Sequence, residues 1–434
     1  MKTVPSAGQK VEMRTGQTKG RIVAETPANS NCFVGFHDIV PWSYDDSLLA
    51  IHRLPPDFSA MSDCGRRIEI CLWLPQTDEI LPVDSTTAWN FQQGSRLQWV
   101  PGRVNCIAFN EIERGRAVSV IRNIATGQRH VLPAPIYAVS PDGKMSIAPN
   151  FTTLAHAWKA YGYPPLTGQP RCTDDRLDGL WKLQLDSGEM SLFISTKRVT
   201  GLEPVSGSKE VVHFLCHPLF SPDGSKVAFL HRFFSADGGS FTRLIVTDRE
   251  ANDLQVLARE KVSHFDWLDN DTVLVWARFT GAGFAQVRSR GALKSPLMKP
   301  LVRVARGFKG RWKKKLLAEA YYSIPVRNAQ ARYRFGWPKL EEDGHPMVAR
   351  SHDWIVTDCY ADKNGILPLI LYHAKRNDRV DVGRFRHRPR SMDSDVKCDL
   401  HPRWNRSENL IAVDTCESGM RQVRILDVHD ILGD

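Results

Sequence analysis

The fold is decided by the stretch His217-Pro-Leu-Phe-Ser-Pro-Asp-Gly-Ser-Lys-Val-Ala-Phe-Leu-His231-Arg232. Residues 221–224, Ser-Pro-Asp-Gly, are a turn signal between two short apolar runs that are rich in strand-forming residues. This pattern predicts a β-hairpin. Comparable units recur along the chain, each opening near a residue that could face a common centre, which indicates a repeat architecture.

Seven such units can be placed along residues 21–434. In chain order they open near Phe33, Phe91, Ile136, His217, Ser263, Gly344 and Asp399. Each unit holds about four short strands, so we predict an all-β fold, a seven-bladed β-propeller. A strand near residues 21–26 would complete the last blade and close the ring. Residues 1–20 are polar and rich in glycine and lysine, and we expect a flexible N-terminal tail there.

The composition limits the class of protein. The chain has 434 residues, of which 42% are hydrophobic, so it can bury a large core. It has no apolar run long enough to span a membrane, and its first residues lack the apolar segment of a secretory signal, so we expect a cytoplasmic protein. The nine cysteines include no CxxC pair, and an odd number spread over a long chain predicts reduced thiols.

The positive charge is concentrated in one segment. The formal net charge is +10, and residues 303–339 carry eleven lysines and arginines against one acid, a surplus equal to that of the whole chain. We predict a basic, partly helical insertion at residues 291–340, between blades five and six. It could dock on an anionic membrane surface or a partner protein. Nucleic-acid binding is disfavoured, because no nucleic-acid-binding fold accompanies the charge. The alternative architecture is a β-sandwich with a helical domain, since residues 312–322 have helical character.

Histidines stand at equivalent places in several units. The first strand of every propeller blade lies beside the central channel, so the following side chains should meet there: His37, His217, His264, His345 and His401. Converging imidazoles, with the nearby thiol of Cys398, predict a Zn²⁺ or Mn²⁺ site whose ligands are His264, His345, His401 and Cys398. The alternative is that each histidine hydrogen-bonds within the channel wall.

Further motifs carry a resemblance to a known family. They are Phe36-His37-Asp38, Gln92-Gln93-Gly94, Tyr161-Gly162-Tyr163, His217-Pro218, Ser263-His264, Gly344-His345 and His401-Pro402. Over most of the chain this set resembles the propeller-type polysaccharide lyases, the oligogalacturonate and ulvan lyases, and the Ser-Pro-Asp-Gly hairpins resemble TolB-like propellers. The resemblance implies seven blades, a manganese or zinc ion held by histidines of late blades, and β-elimination of uronate-containing chains.

The same resemblance implies roles for single residues. His217 would be the base that removes the C5 proton, Tyr163 or Tyr161 the acid, and Arg232 or Arg243 the group that clamps the uronate. The expected sugar-binding residues are His37, Gln93, Asn110, Trp99 and Tyr161. The ulvan-type enzymes use paired histidines in early blades, whereas the second unit here has amide side chains, which disfavours ulvan-type catalysis.

The sequence thus predicts a carbohydrate-active propeller that recognises an acidic oligosaccharide at its channel mouth. If the chain is an enzyme, the expected activity is metal-supported β-elimination. The alternative is a non-catalytic cytoplasmic propeller that scaffolds surface-polysaccharide biosynthesis or binds protein partners, with the basic segment as its docking arm.

Overall fold

The computed structural model describes residues 20–203, 212–234, 240–259, 261–279, 318–388 and 393–433. Within these residues the strands form seven antiparallel sheets of four strands each. Consecutive segments of the chain build consecutive sheets, which we number blades one to seven. The chain is a seven-bladed β-propeller, as the sequence predicts.

The strands of each blade are given from the channel outward. Blades one to four contain Cys32–Phe33, Leu49–Arg53, Ile68–Leu74 and Glu79–Thr86; Gln98–Trp99, Cys106–Glu113, Arg116–Asn123 and Arg129–Leu132; Ala138–Val139, Met145–Pro149, Gly179–Gln184 and Met190–Ser195; and His213–Phe220, Lys226–Phe234, Ser240–Asp248 and Gln255–Ala258. Blades five to seven contain Val262–Trp267, Thr272–Arg278, Glu319–Pro325 and Tyr333–Arg334; Met347–Val348, Trp354–Asp358, Ile366–His373 and Asp378–Arg386; and Arg403–Trp404, Leu410–Thr415, Gln422–Asp427 and Arg21–Glu25.

Helices are short and lie between strands. The α-helices of the described residues are Phe151–Ala157, Thr196–Leu202 and His429–Leu432, and the 3₁₀ turns are Met61–Asp63, Pro164–Gly168, Val326–Ala331 and Ser394–Val396. None of the helices in this part of the chain has the length and apolar character needed to cross a membrane.

The Ser-Pro-Asp-Gly turn forms the hairpin between the first two strands of blade four. The hydroxyl of Ser221 donates to Asp223 at 2.6 Å and accepts the amide hydrogen of Lys226 at 3.0 Å. Gly224 has a φ of +72°, a conformation that glycine adopts without the steric cost of a side chain. The turn fixes the register of the second strand, whose Leu230 and Arg232 line a channel cavity.

The ring is closed by pairing between the two ends of the described chain. Arg21–Glu25 is the outer strand of blade seven and lies antiparallel to Gln422–Asp427. An apolar cluster that contains Trp42 of blade one and Ile425 of blade seven fills the same seam. The prediction that an early strand completes the last blade is confirmed.

A buried ion pair reinforces this seam near the channel. Asp414 of blade seven accepts the amide hydrogens of Val34 and Gly35 in blade one at 2.9 and 3.2 Å. The same carboxylate pairs with Arg403 at 3.0 Å, and the two side chains are 2% and 0% exposed. Arg403 also donates to the carbonyl oxygens of Gly35 and Phe36. The inner segment of blade one is therefore hydrogen-bonded directly to blade seven.

Part of the predicted basic insertion belongs to blade five. Glu319–Pro325 and Tyr333–Arg334 are the third and fourth strands of blade five, so this part of residues 291–340 is not an insertion between blades five and six. The sequence suggested a helix because leucine, alanine and glutamate before Tyr321 favour helices, and packing within the blade overrides that preference. Residues 291–317, with most of the predicted helix and part of the predicted docking arm, lie outside the described residues.

The connection between the second and third strands of blade three reaches over the channel. The side chain of Asn150 caps the helix Phe151–Ala157 by accepting the amide hydrogens of its first turn. A Cβ added at Gly162 would lie 2.3 Å from the Cα of Ala155, so glycine lets the following loop pack on this helix. The loop in turn places Trp158 and Tyr161 in a cavity wall.

Candidate functional site

Four histidines from four blades lie together in the channel. His37 follows the inner strand of blade one, His264 lies in that of blade five, and His345 and His401 precede those of blades six and seven. The ring centroids of His264 and His345 are 4.1 Å apart, and those of His345 and His401 are 4.3 Å apart. His37 lies 5.4 Å from His345 by the same measure. The structure brings the three predicted histidine ligands together, and their role as ligands stays a prediction.

Each of these rings has its Nδ1 atom next to an oxygen. The partners are Pro346 O for His37 at 3.1 Å, Asp343 Oδ1 for His264 at 3.1 Å, Asp358 Oδ1 for His345 at 2.8 Å and Gly35 O for His401 at 2.7 Å. Carbonyl and carboxylate oxygens accept hydrogen bonds, so we place a hydrogen on each Nδ1. Burial lowers the pKa of His37, His345 and His401 well below its ordinary value. Neutral rings with a free Nε2 are the form that binds metals.

A carboxylate completes a set that fits a divalent cation. His345, Asp399 and His401 are buried, and one ligand atom from each lies within 4.8 Å of the others. Nε2 of His401 has no hydrogen-bond partner among the described residues, and Oδ2 of Asp399 accepts no aligned hydrogen bond, although Nζ of Lys397 lies 2.7 Å away. Leaving a buried ring nitrogen unsatisfied costs free energy, and a cation would satisfy it. Two imidazoles and a carboxylate suit Mn²⁺ or Zn²⁺, and the carboxylate of Asp358 behind His345 would hold that ring in place.

The thiol of Cys398, predicted as a further ligand, faces another part of the structure. It hydrogen-bonds with the side chain of Cys416, and both residues line a separate cavity of about 30 Å³. The contact with Cys416 and burial raise the pKa of Cys398 well above its ordinary value, which disfavours a metal-binding thiolate. Successive residues of an extended segment point to opposite sides, so Asp399 projects toward the histidines in place of Cys398.

A cavity of about 250 Å³ opens beside the histidine cluster. Its wall includes the predicted site residues His37, Tyr161, His217, Arg232 and His264. The ring centroids of Tyr161 and His217 are 5.1 Å apart. The guanidinium carbon of Arg232 lies 4.0 Å from the centroid of the Trp158 ring, which holds this cation at the wall.

His217 is buried and held in an uncommon backbone conformation. Its φ is +54°, in the left-handed region that costs free energy for a residue with a side chain, and the strand register shifts between Cys216 and Leu219. Its Nε2 lies 3.3 Å from the amide nitrogen of Gln93, and its Nδ1 has no hydrogen-bond partner in the described chain. Burial, followed by the charge of Arg232, holds the pKa of His217 well below its ordinary value. The ring is therefore neutral at pH 7, and Nδ1 is its nitrogen without a partner among the described residues.

Three residues predicted to bind sugar are buried and form hydrogen bonds within the protein, so their role in sugar binding stays a prediction. The indole nitrogen of Trp99 donates to the carbonyl oxygen of Pro41 at 2.7 Å. Asn110 donates to the hydroxyl oxygen of Tyr163 at 2.8 Å and is fully buried. Gln93 donates to the hydroxyl of Tyr137 at 2.7 Å and lies behind His217, so it positions that ring and does not face the cavity.

Two of the predicted catalytic residues also lie away from the cavity. Tyr163 is fully buried and stacks on Phe151, with ring centroids 4.4 Å apart, so Tyr161 is the member of this pair that lines the cavity. Arg243 pairs in register with His231, the residue next to Arg232, so it lies on the opposite face of blade four. The guanidinium carbon of Arg243 is 5.4 Å from the Phe233 ring centroid.

Some polar residues of the site were not predicted from the sequence. Besides Asp399, they include Lys397 and Tyr360, which line the cavity. The hydroxyl of Tyr360 lies 3.5 Å from Nε2 of His264, and Nζ of Lys397 lies 4.2 Å from the centroid of the Tyr360 ring. The spacing of Lys397, Asp399 and His401 at every second residue was a usable signal for a shared side. Tyr360 follows a strand and carried no such signal.

Comparison with known proteins supports the fold. No known protein family's sequence profile matches the chain, and no curated protein is significantly similar to it in sequence. Two similar solved structures are an oligogalacturonate lyase in complex with manganese, at 14% identity and a TM-score of 0.62, and an oligogalacturonate lyase from Vibrio parahaemolyticus, at 12% identity and a TM-score of 0.60. In both cases the match covers 94% of this chain and 93% of the other. At these identities the likeness shows a common propeller architecture over almost the whole chain.

The residues around the cavity can act on a bound ligand. One wall of the cavity has a neutral imidazole and a tyrosine, and burial raises the pKa of Tyr161 so that its hydroxyl stays protonated. The basic side chains of Arg232 and Lys397 attract anions, and two histidines of the cluster, His37 and His264, line the same cavity. Such a site can bind an anionic ligand and move a proton.

Proposed function

We propose that this chain binds a uronate-containing oligosaccharide in the channel cavity and cleaves it by β-elimination. The observation that carries the proposal is the placement of the neutral, buried His217 beside Tyr161 and Arg232, in a cavity that His37 and His264 of the histidine cluster also line. The distant likeness in fold to two oligogalacturonate lyases supports a carbohydrate ligand. The acidic group of the ligand is matched by the two basic side chains in the cavity wall.

Four residues of the chain would each have one role in the reaction. His217 accepts the C5 proton of the uronate, the C–H electron pair forms the C4=C5 double bond, and the C4–O bond breaks. Tyr161 donates its proton to the leaving oxygen, so that atoms and charges balance. Arg232 binds the uronate carboxylate through its guanidinium group. Gln93 keeps the ring of His217 in position.

A divalent metal ion held by His345, Asp399 and His401 would neutralise the uronate carboxylate and thereby make the C5 proton more acidic. Elemental analysis of the purified chain should find about one equivalent of Mn²⁺ or Zn²⁺. The double variant His345→Ala/His401→Ala should lose it, and His130→Ala, at an exposed position in blade two, should keep it. A wild-type protein that binds neither ion would contradict this part of the proposal.

The lyase step has a direct optical assay, because the unsaturated product absorbs in the ultraviolet. We expect oligogalacturonates or related uronate oligosaccharides to give this absorbance with wild type and with His130→Ala, and not with His217→Ala. A fully active His217→Ala protein would exclude His217 as the base. Oligosaccharide binding without any product would exclude the lyase reaction and leave a sugar-binding propeller.

A further inference from the structure

Lys397 holds one of the groups that fit a metal ion. Its Nζ lies 2.7 Å from Oδ2 of Asp399, whose side chain is 5% exposed, whereas that of Lys397 is 32% exposed and lines the cavity. Oδ2 of Asp399 nevertheless accepts no aligned hydrogen bond from the described residues. The contact is therefore a charge contact that leaves the acceptor capacity of the oxygen unused.

An ammonium group and a divalent cation compete for this carboxylate. Asp399 belongs with His345 and His401 to the set whose ligand atoms lie within 4.8 Å of one another. A cation bound there would lie a few ångströms from Nζ of Lys397, and like charges at that separation in a buried site repel each other strongly. The ammonium and the metal ion therefore stabilise Asp399 in alternative states.

We propose that Lys397 is a displaceable counter-ion that neutralises Asp399 in the metal-free protein and turns into the cavity when a divalent cation binds. This inference rests on the proposed function, since it concerns the same metal set and the same acidic ligand. The four-carbon stem of lysine is flexible, and the face of the Tyr360 ring, 4.2 Å from Nζ, provides a surface along which the ammonium can move.

The released ammonium changes what the cavity binds. Among the described residues Arg232 is the other basic side chain of the cavity wall. The wall also has two carboxylates, that of Asp38, which is paired with Arg96, and that of Asp395. In the metal-bound state two cations would face the ligand, whereas in the metal-free state one of them is held by Asp399. Metal and acidic ligand then bind with positive coupling, and the coupling is reciprocal.

The test is calorimetric titration of the full chain, freed of metal by chelator, with MnCl₂ or ZnCl₂. Removal of the competing ammonium in Lys397→Met should tighten metal binding about five- to tenfold, within the usual range of coupling between sites. Lys397→Gln gives the same test with a polar tip if the first variant is unstable. Arg232→Met removes a charge from the same cavity without touching Asp399, and Lys375→Met removes a lysine paired with Asp353 at 3.0 Å on the surface. Both controls should change the metal affinity less than twofold.

A second titration measures the coupling. Trigalacturonate should bind wild type about five- to tenfold more tightly in the presence of Mn²⁺, and this gain should be smaller in Lys397→Met, where only the direct attraction between the metal ion and the uronate remains. If wild type binds metal but Lys397→Met binds it no more tightly, or if Arg232→Met has an equal effect, the counter-ion role of Lys397 is excluded while the proposed function stands. If wild type binds no divalent metal, the metal part of the proposed function fails, and this inference fails with it.

Discussion

The substitution Asp414→Asn tests how blade seven holds the inner segment of blade one. The carboxylate accepts the amide hydrogens of Val34 and Gly35 and pairs with the fully buried guanidinium of Arg403. An asparagine keeps one acceptor oxygen, but its amide group would face N–H donors, and Arg403 would lose its counter-charge. Gly35 also provides the carbonyl oxygen that accepts from Nδ1 of His401 at 2.7 Å, so the effect should extend to the histidine cluster.

The expected cost is about 3–5 kcal/mol, the usual penalty for removing one partner of a buried ion pair. This is at least about a fifth of the total stability of a typical domain, about 5–15 kcal/mol. Urea denaturation followed by tryptophan fluorescence should show a lower midpoint with an unchanged slope. Asp353→Asn, which breaks the exposed pair with Lys375, should cost at most about 1 kcal/mol.

A double-mutant cycle decides whether the charge is the cause. Arg403→Met in the Asp414→Asn background removes the uncompensated cation, so the double variant should be more stable than the sum of the two single changes predicts. An Asp414→Asn protein as stable as Asp353→Asn, or strictly additive changes in the cycle, would refute the reasoning that the seam depends on this pair.

Three other outcomes follow from the geometry. Tyr161→Phe should lower the rate of formation of the ultraviolet-absorbing product while Tyr163→Phe should not, and the reverse order would contradict the assignment of the acid. Burial lowers the pKa of His52 to about 4, so as the pH falls below 6.5 the unfolded state takes up a proton before the folded state does. Between pH 7 and 5 the free energy of unfolding should therefore fall by about 2 kcal/mol less in His52→Gln than in wild type. Equal losses in the two proteins would disprove this effect of His52. Asp358→Asn, which removes the carboxylate hydrogen-bonded to Nδ1 of His345, should weaken Mn²⁺ binding in calorimetry about 10- to 100-fold. An unchanged affinity would show that Asp358 does not hold the ring of His345 in place for the metal ion.

The fold was predictable because its signals are local and repeated. The Ser-Pro-Asp-Gly turn at residues 221–224 fixes a hairpin by hydrogen bonds within six residues, and degraded copies of it give the number of blades. The third strand of blade five was missed because Glu319–Pro325 has helix-favouring residues next to it, and only its pairing with Thr272–Arg278 makes it a strand. Pairing across a long connection leaves no mark in the local pattern.

The candidate site was predictable only where the repeat determines it. Equivalent positions in the blades brought His264, His345 and His401 to one place. The choice between Tyr161 and Tyr163 depends on how the loop after the helix Phe151–Ala157 runs, and the repeated pattern of strands and turns does not determine the course of this loop. The sequence alone could therefore name both tyrosines but could not tell which one faces the cavity.

The closure of the ring has a consequence for the order of assembly. His37 comes from blade one and His401 from blade seven. The strand Arg21–Glu25 can pair only after Gln422–Asp427 has been synthesised, almost the full length of the chain later. A growing chain therefore lacks the complete histidine set until its final strands have been synthesised and docked. We expect a chain truncated before residue 399 to bind no Mn²⁺ in calorimetry, so that metal occupancy would mark finished molecules and distinguish them from partly assembled ones.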